Sequence, residues 1–459
     1  MAVFANTPFD KLEIGMQAES PRLCIADDLY VFAHASGNLN PMHLPKEDGD
    51  GDGKPEAIAP SIWIASLISA VLGNQLPGPG TLYKSQTLNF VGRAHAGDEL
   101  IAKVKLVEKG DDRQATFDTW VEHKNGTRVV EGQAKVVAPA TSQSFTADDV
   151  PGLTVQRHMH FDRLIELAEP LPPILTAVVC PEGKSSLGGA LLGYEHTLIT
   201  PILIGDQAKI EAAAQALGAN ISGLQIEHVP DHDAAAARGV ALVHEGRAKA
   251  VMKGHLHTDK LLKHIVKSDG GLRMGRRLSH IFVMDVPGLD HLLLVTDAAI
   301  NIYPDLKTKV DIVQNAIDLA HSLGMDEPKV GILSAVEVVN PAIQSTLDAA
   351  ILSKMADRGQ IKGGLVDGPL AMDNAIDLDA AMTKGIKSLV AGRAEILIAP
   401  NMETGNMLAK QLTFIAHAEA GGVVMGARCP VILNSRADDD KARLASCAVA
   451  ALHAARIGI

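Results

Sequence analysis

The stretch APATSQSFTADDVPG, Ala138 to Gly152, divides the chain. It is short of large apolar residues and rich in Ser, Thr, Asp and Pro, the composition of a linker. The hydrophobic rhythm also differs on its two sides. We assign residues 1–140 to a first domain, 141–152 to the linker and 153–459 to a second domain. Two or more domains suit the length, because 459 residues exceed what one ordinary hydrophobic core organises.

Upstream, APSIWIASLISAVLGNQL, Ala59 to Leu76, carries apolar residues nearly all round. It reads as a helix lying in the concave face of a sheet, with Pro60 and Gly73 punctuating its ends. Only strand patterns follow it: TLYKSQTLNFVG, DELIAKVKLVEKG, RQATFDTWVEHK and TRVVEGQAKVVA alternate apolar and polar residues. Gly110-Asp111 and Asn125-Gly126 supply turn signals between them. One long helix followed by an antiparallel meander is the α+β pattern of a hot-dog domain.

Downstream, short apolar runs without alternation, such as ILTAVVC, TPILIG, HIFVMDV, KVGILS and EILIAP, are separated by helical patterns. Such runs suit strands buried on both faces, so the second domain is expected to be α/β with a mainly parallel sheet. About 300 residues could form two α/β subdomains with a cleft between them.

Hydrophobic residues make up 47% of the chain and charged ones 21%, which is globular, while aromatics at 3% leave the core to Ala, Val, Leu and Ile. The net charge of −12 argues against a nucleic-acid partner and requires a local basic patch for any polyanionic substrate. Cys24, Cys180, Cys429 and Cys447 show no C-x-x-C spacing, so neither a disulfide framework nor a structural zinc site is expected. No uncharged run approaches bilayer length and the first residues lack a signal-peptide pattern. A cytoplasmic protein with no membrane partner is expected.

Several motifs fail on inspection. DGDGDG, Asp48 to Gly53, begins like a calcium loop, but Ala59 stands twelfth, where a bidentate Glu is required. PEGKSS has the tail of a phosphate-binding loop, yet Val178 occupies the place of its first glycine. His255, His257 and His264 with Asp259 repeat no established zinc spacing and read as helix-surface or substrate-lining residues. No metal and no tightly bound cofactor are expected.

Two segments carry chemistry. ASGNLNPMHL resembles the loop of MaoC-like dehydratases, the R-specific enoyl-CoA hydratases, through Ser36, Gly37, Asn40, Pro41 and His43. That family's catalytic Asp position holds Asn38 here. An amide cannot take a proton from water, so the resemblance implies weak or lost hydration; the alternatives are a bifunctional or primarily R-specific enoyl-CoA hydratase, and a non-catalytic acyl-CoA-binding or dimerisation module.

From LTAVVCPEGKSSLGGALL onward the chain resembles the phosphate acetyl/butyryltransferases, notably in MKGHLHTDKLL, GLRMGRRLSHIFVMDVP, GLVDGPLAMDNA, ILIAPNMETGNMLAKQL and PVILNSRADDD. The resemblance implies exchange of a short acyl group, acetyl to butyryl, between coenzyme A and phosphate, and a homo-oligomer. It assigns phosphate or acyl-phosphate binding to Arg436 and the thioester carbonyl to Ser435. The base for the CoA thiol falls on one of Asp438, Asp439 and Asp440, in the order Asp440, then Asp438. A run of carboxylates at a helix start is also what the macrodipole favours.

Thr404, Gly405 and Asn406, with Lys410 one turn on, fall where a strand turns into a helix, a position at which anions bind. Acetyl-specific members carry an Arg about eight residues after that Asn; Thr413 and Phe414 stand there instead and lean toward a butyryl-type or broader pocket. Lys253, Gly254 and Thr258 occupy another such junction. Arg273, Arg276 and Arg277 form the densest basic cluster and could face CoA or phosphate. Asp367-Gly368-Pro369 reads as a turn, or as a family-matched position near the site.

Overall fold

In a computed structural model of the chain, residues 3–45, 57–146, 153, 155, 158–434 and 440–459 are described. The acidic run Asp48 to Gly53 lies outside the described residues, as do Ser435, Arg436, Asp438 and Asp439. Two compact units emerge, residues 1–155 and 156–459. Among the described residues no helix is long and apolar enough to cross a membrane.

In the first unit, antiparallel strands lie in the order Gln17–Leu23, Glu99–Lys109, Gln114–His123, Arg128–Val137 and Leu82–Gln86. Helix Ser61–Asn74 buries Trp63, Ile64, Ile68, Val71 and Leu72 in the core that also holds Leu100, Val104, Phe117 and Val121 of the sheet. This is the hot-dog arrangement expected from the alternation.

The stretch expected as one strand from Thr81 is two, because Asn89–Phe90 pairs separately with Arg128–Val137. Gly132 explains the break. A Cβ there would stand 1.9 Å from the Thr87 carbonyl oxygen, so the chain crosses its partner's backbone at a point that only glycine admits. Helix Ala26–Ser36 was not legible, since it buries only Leu29 and Ala33 and leaves little apolar periodicity.

The linker assignment needs correction at its start. Ser144–Thr146 forms a short antiparallel ladder with Val3–Ala5, and the rings of Phe4 and Phe145 stack with centroids 5.1 Å apart. The Asn6 side chain donates to the Thr141 carbonyl and accepts from the Gln143 N–H, which holds this polar segment in register.

The second unit is built on one eleven-stranded sheet. Its order is Gln225–His228, Ile199–Gly205, Ile174–Val179, Ala250–Lys253, Val431–Ile432, Glu419–Met425, Ser279–Asp285, Leu293–Thr296, Ile396–Ile398, Lys329–Leu333 and Leu365–Leu370. Pairing is parallel except on both sides of Glu419–Met425 and between Ser279–Asp285 and Leu293–Thr296. Three reversals leave the two halves running in opposite directions. The two subdomains expected from the sequence are therefore halves of one continuous sheet, and their strands' carboxyl ends lie at opposite ends of it.

Asp367, Gly368 and Pro369 are not a turn but part of the edge strand Leu365–Leu370. At an edge the N–H that proline lacks need not serve a second ladder. His264, read as a surface or lining residue, is buried, with its Nε2 3.1 Å from Asp233.

Helix Asp440–Ile457 is buried along most of its Ala-rich length. Near its end, burial pushes the His453 imidazole down to about 4, and its Nδ1 lies 2.9 Å from the Ser322 Oγ. The unfolded chain takes up this proton near pH 6.5, whereas the folded chain refuses it until about 4. The stabilisation is complete above pH 6.5 and is lost as the pH falls toward 4. Thermal melts should show wild type losing on the order of a few kcal/mol more than His453→Gln across that window. Parallel pH profiles would remove His453 from this role.

Candidate active site

In an open α/β sheet a ligand crevice opens where neighbouring parallel strands send their following helices to opposite faces. Strand Ile174–Val179 leads into helix Lys184–Glu195, whose Leu187 and Ala190 pack in the cluster holding Val178 and Met252. Strand Ala250–Lys253 leads into helix Thr258–Ile265, whose Leu261 and Ile265 pack with Ala177, Val179 and Val251. Successive strand residues point to opposite faces, so the two helices do as well. Between these strand ends lies a crevice of about 290 Å³ lined by Gly183, Lys184, Lys253, His255, Asn434 and Arg443.

Glycine makes the junction possible. A Cβ on Gly254 would come within 2.3 Å of the Cys180 carbonyl oxygen and 2.5 Å of that of Val179. One on Gly189 would stand 2.7 Å from Cδ of Arg443, so the Arg443 stem runs closely over that helix. On the third side, Asn434 donates to the Ser446 Oγ at 2.9 Å, which pins the strand end that leads into Ser435 and Arg436.

Charge in the crevice is positive although the chain is acidic. Lys253 is 8% exposed and Arg443 3%, and the start of helix Lys184–Glu195 adds N–H groups and the positive end of its dipole. Lys253 Nζ lies 3.5 Å from the carbonyl oxygens of Gly254 and Leu256, and the convergence of two cationic side chains with a helix start suits negative charge.

Behind the crevice, Cys180, Glu182 and His232 bring their ligand atoms within 4.8 Å of one another. Burial first, then the Glu182 charge, pushes the Cys180 thiol up to about 12, so it is no ready thiolate. Burial pushes the Glu182 carboxyl up, but bonds from the Asp206 N–H and His232 outweigh this and hold it below its ordinary range. The trio therefore braces the loop ahead of Gly183.

The structure brings together only part of the expected set. Lys253 lines the crevice, Asn434 leads from it to Ser435 and Arg436, and Thr258 opens the adjoining helix. Asp440 is exposed and begins the helix that carries Arg443. Arg276 and Arg277 precede Ser279–Asp285, which runs parallel to Ala250–Lys253, so they sit at the opposite end of the sheet. There Arg276 pairs with Asp318, and the Arg277 N–H donates to Asp311.

Thr404, Gly405 and Asn406 also lie at that opposite end, beyond Ile396–Ile398. Gly405 packs against the Asp297 carbonyl, the Asn406 amide donates to the Ala298 carbonyl, and Lys410 is exposed further along the helix. Lys184 and Arg443 were missed, whereas His255 had been read as a helix-surface or substrate-lining residue. The Gly183-Lys184-Ser185 fragment was the available signal; it fails as a nucleotide loop yet does open a helix at a strand end.

In the first unit, Gly37 ends helix Ala26–Ser36 in the left-handed region at φ 71°. The Asn38 N–H donates to Ser36 Oγ at 3.2 Å, and its Oδ1 accepts from the Asn40 N–H at 3.3 Å. His43 Nδ1 lies 2.7 Å from the Ile58 carbonyl oxygen. A carbonyl only accepts, so Nδ1 carries a proton, and it is Nε2 that is turned away from this contact.

Residues 231–451 match the family model described as phosphate acetyl/butaryl transferase. Over 296 residues the chain is 56% identical to a phosphate acetyltransferase of Rhizobium meliloti, covering 64% of this chain and 94% of that one. The chain belongs to the phosphate acetyl/butyryltransferase family. A phosphate butyryltransferase of Clostridium beijerinckii is 42% identical over 297 residues, 65% of this chain and 98% of that one. Among solved structures, a branched-chain phosphotransacylase from Enterococcus faecalis V583 aligns with a TM-score of 0.53 at 29% identity, over 61% of this chain and 99% of that chain. Residues 10–127, ahead of the transferase-family region, match the MaoC like domain.

Proposed function

We propose that the second unit transfers a short acyl group between coenzyme A and inorganic phosphate at the crevice between Lys184 and Lys253. The observation that carries this reading is the convergence of two buried cations and a helix start on the strand end leading into Ser435-Arg436. A phosphate oxygen attacks the thioester carbonyl carbon, the C–S bond breaks, and acyl phosphate and CoA thiolate result. Arg436, Lys253 and Arg443 hold the phosphate, while Ser435 donates to the developing carbonyl oxyanion. Asp440, or Asp438, takes the thiol proton in the reverse direction. Relatives bear both acetyl and butyryl names, which supports acceptance of acetyl to butyryl chains.

Purified protein should release free CoA thiol from acetyl-, propionyl- and butyryl-CoA only when phosphate is supplied. Equal release without phosphate would sink this reading.

For the first unit, the His43 tautomer supports a second reading, an acyl-CoA loop that has kept its imidazole and lost its carboxylate. General base help is worth roughly 10²–10⁴ in rate. Asn38→Asp should accordingly raise crotonyl-CoA hydration by about two orders of magnitude. A silent Asn38→Asp together with a silent His43→Ala would reject any latent hydratase.

A further inference from the structure

Strand Ile174–Val179 runs into a residue in a conformation that its type rarely adopts. Cys180 stands at φ 56°, in the left-handed region where glycine is the usual occupant. Main-chain bonds fix it there: its N–H donates to the Ile204 carbonyl at 2.7 Å, and its carbonyl accepts from the His255 N–H at 2.6 Å. Non-glycine residues persist in that region where the surroundings over-determine them, often at ligand sites. The thiol so placed is fully buried and has no hydrogen-bond partner among the described residues.

It is aimed at Glu182 and His232. One sulfur, one carboxylate oxygen and one imidazole nitrogen lie within 4.8 Å of one another, with His232 Nε2 2.9 Å from Glu182 Oε2. Ligand atoms around a single zinc ion stand roughly 3.3–3.6 Å apart, so small side-chain shifts let all three meet one ion. An outer shell is in place. The Asp206 N–H holds Glu182 Oε1 at 3.1 Å, and Oε2 remains for a metal. A Cβ on Gly205 would stand 3.0 Å from that Oε1, so the neighbouring strand is cut back to admit the carboxylate. His232 begins helix His232–His244 with 28% of its side chain exposed, and its Nδ1 can carry the ring proton while Nε2 binds metal. Lys209, 3.6 Å from Oε2, is 56% exposed and able to swing into solvent.

We infer that Cys180, Glu182 and His232 bind one divalent ion of the zinc class, with water in the fourth position. Sulfur beside imidazole selects such an ion over magnesium or calcium. A thiolate and a carboxylate balance its two charges. On binding, the S–H bond breaks, a metal–sulfur bond forms, and the thiol proton goes to solvent. In the metal-free chain the Glu182–His232 contact braces the loop; the ion takes over that brace and ties the thiol into it. None of the three is assigned a step in acyl transfer, so the test is independent of that reaction.

Cobalt(II) titrated into the reduced, metal-stripped full chain provides it, because a cobalt–thiolate bond adds a charge-transfer band in the near ultraviolet. The band should saturate at a single Co²⁺ per chain and disappear when Zn²⁺, the tighter binder, is added. Cys180→Ser exchanges one atom and should abolish it. His232→Gln, at a partly exposed position, should keep the band and weaken cobalt binding roughly tenfold or more. Absence of the band, a band unchanged in Cys180→Ser, or an affinity indifferent to His232→Gln would each overturn the proposal.

Discussion

Lys253→Met and Arg436→Ala are each expected to lower kcat/KM for phosphate by about two to three orders of magnitude, the cost of removing one well-placed donor to developing charge. Lys253 is buried at a strand end in the crevice, and methionine replaces its stem with an apolar chain of similar length. The loss should therefore be kinetic, with a raised KM for phosphate and a smaller change in KM for acyl-CoA. Full activity in Lys253→Met would remove the crevice from the reaction. A KM for phosphate unchanged in Lys253→Met would make Lys253 a structural group only.

The largest stability effect is expected at the other end of the sheet. Lys309 and Asp348 form an ion pair at 2.7 Å with side chains 7% and 8% exposed, and the Gln344 amide also donates to Asp348. Lys309→Met leaves that carboxylate buried without its cation, which costs about 3–5 kcal/mol. Adding Asp348→Leu should recover most of the loss, because removing both charges also removes the desolvation cost. Denaturant midpoints of the two single variants and the double variant measure this coupling. A Lys309→Met midpoint equal to wild type would show that the pair contributes no net stability.

Much of the architecture was legible because it rests on local periodicity. The alternating strands after Ala59 and the unbroken apolar runs after Ile174 report whether one or both strand faces are buried, a property each segment carries in its own residues. Segments without that signal were missed: Glu419–Met425 contains two adjacent glycines, and Leu365–Leu370 contains Gly-Pro. Among candidate site residues, Lys253 was picked out because a strand end followed by Gly and a helix is a local pattern, whereas Ser435 and Arg436 rested on the family resemblance alone.

Thr404, in another strand-to-helix turn, carried an equally good local signal and was grouped with Lys253. Nothing local distinguishes Thr404 from Lys253, since a strand-to-helix turn looks the same whichever way its strand runs.

Composition, motif and rhythm were enough to specify a hot-dog unit, an α/β unit and the family to which the second belongs. Strand direction came only with the fold. Three antiparallel contacts around Glu419–Met425 and Ser279–Asp285 reverse half of the sheet, so junctions alike in sequence face opposite ends of the molecule. The physical reason is that periodicity encodes which side of a strand is buried, whereas direction is set by pairing between segments distant in the chain. That pairing separates Thr404 from Lys253, which the residues alone had grouped together.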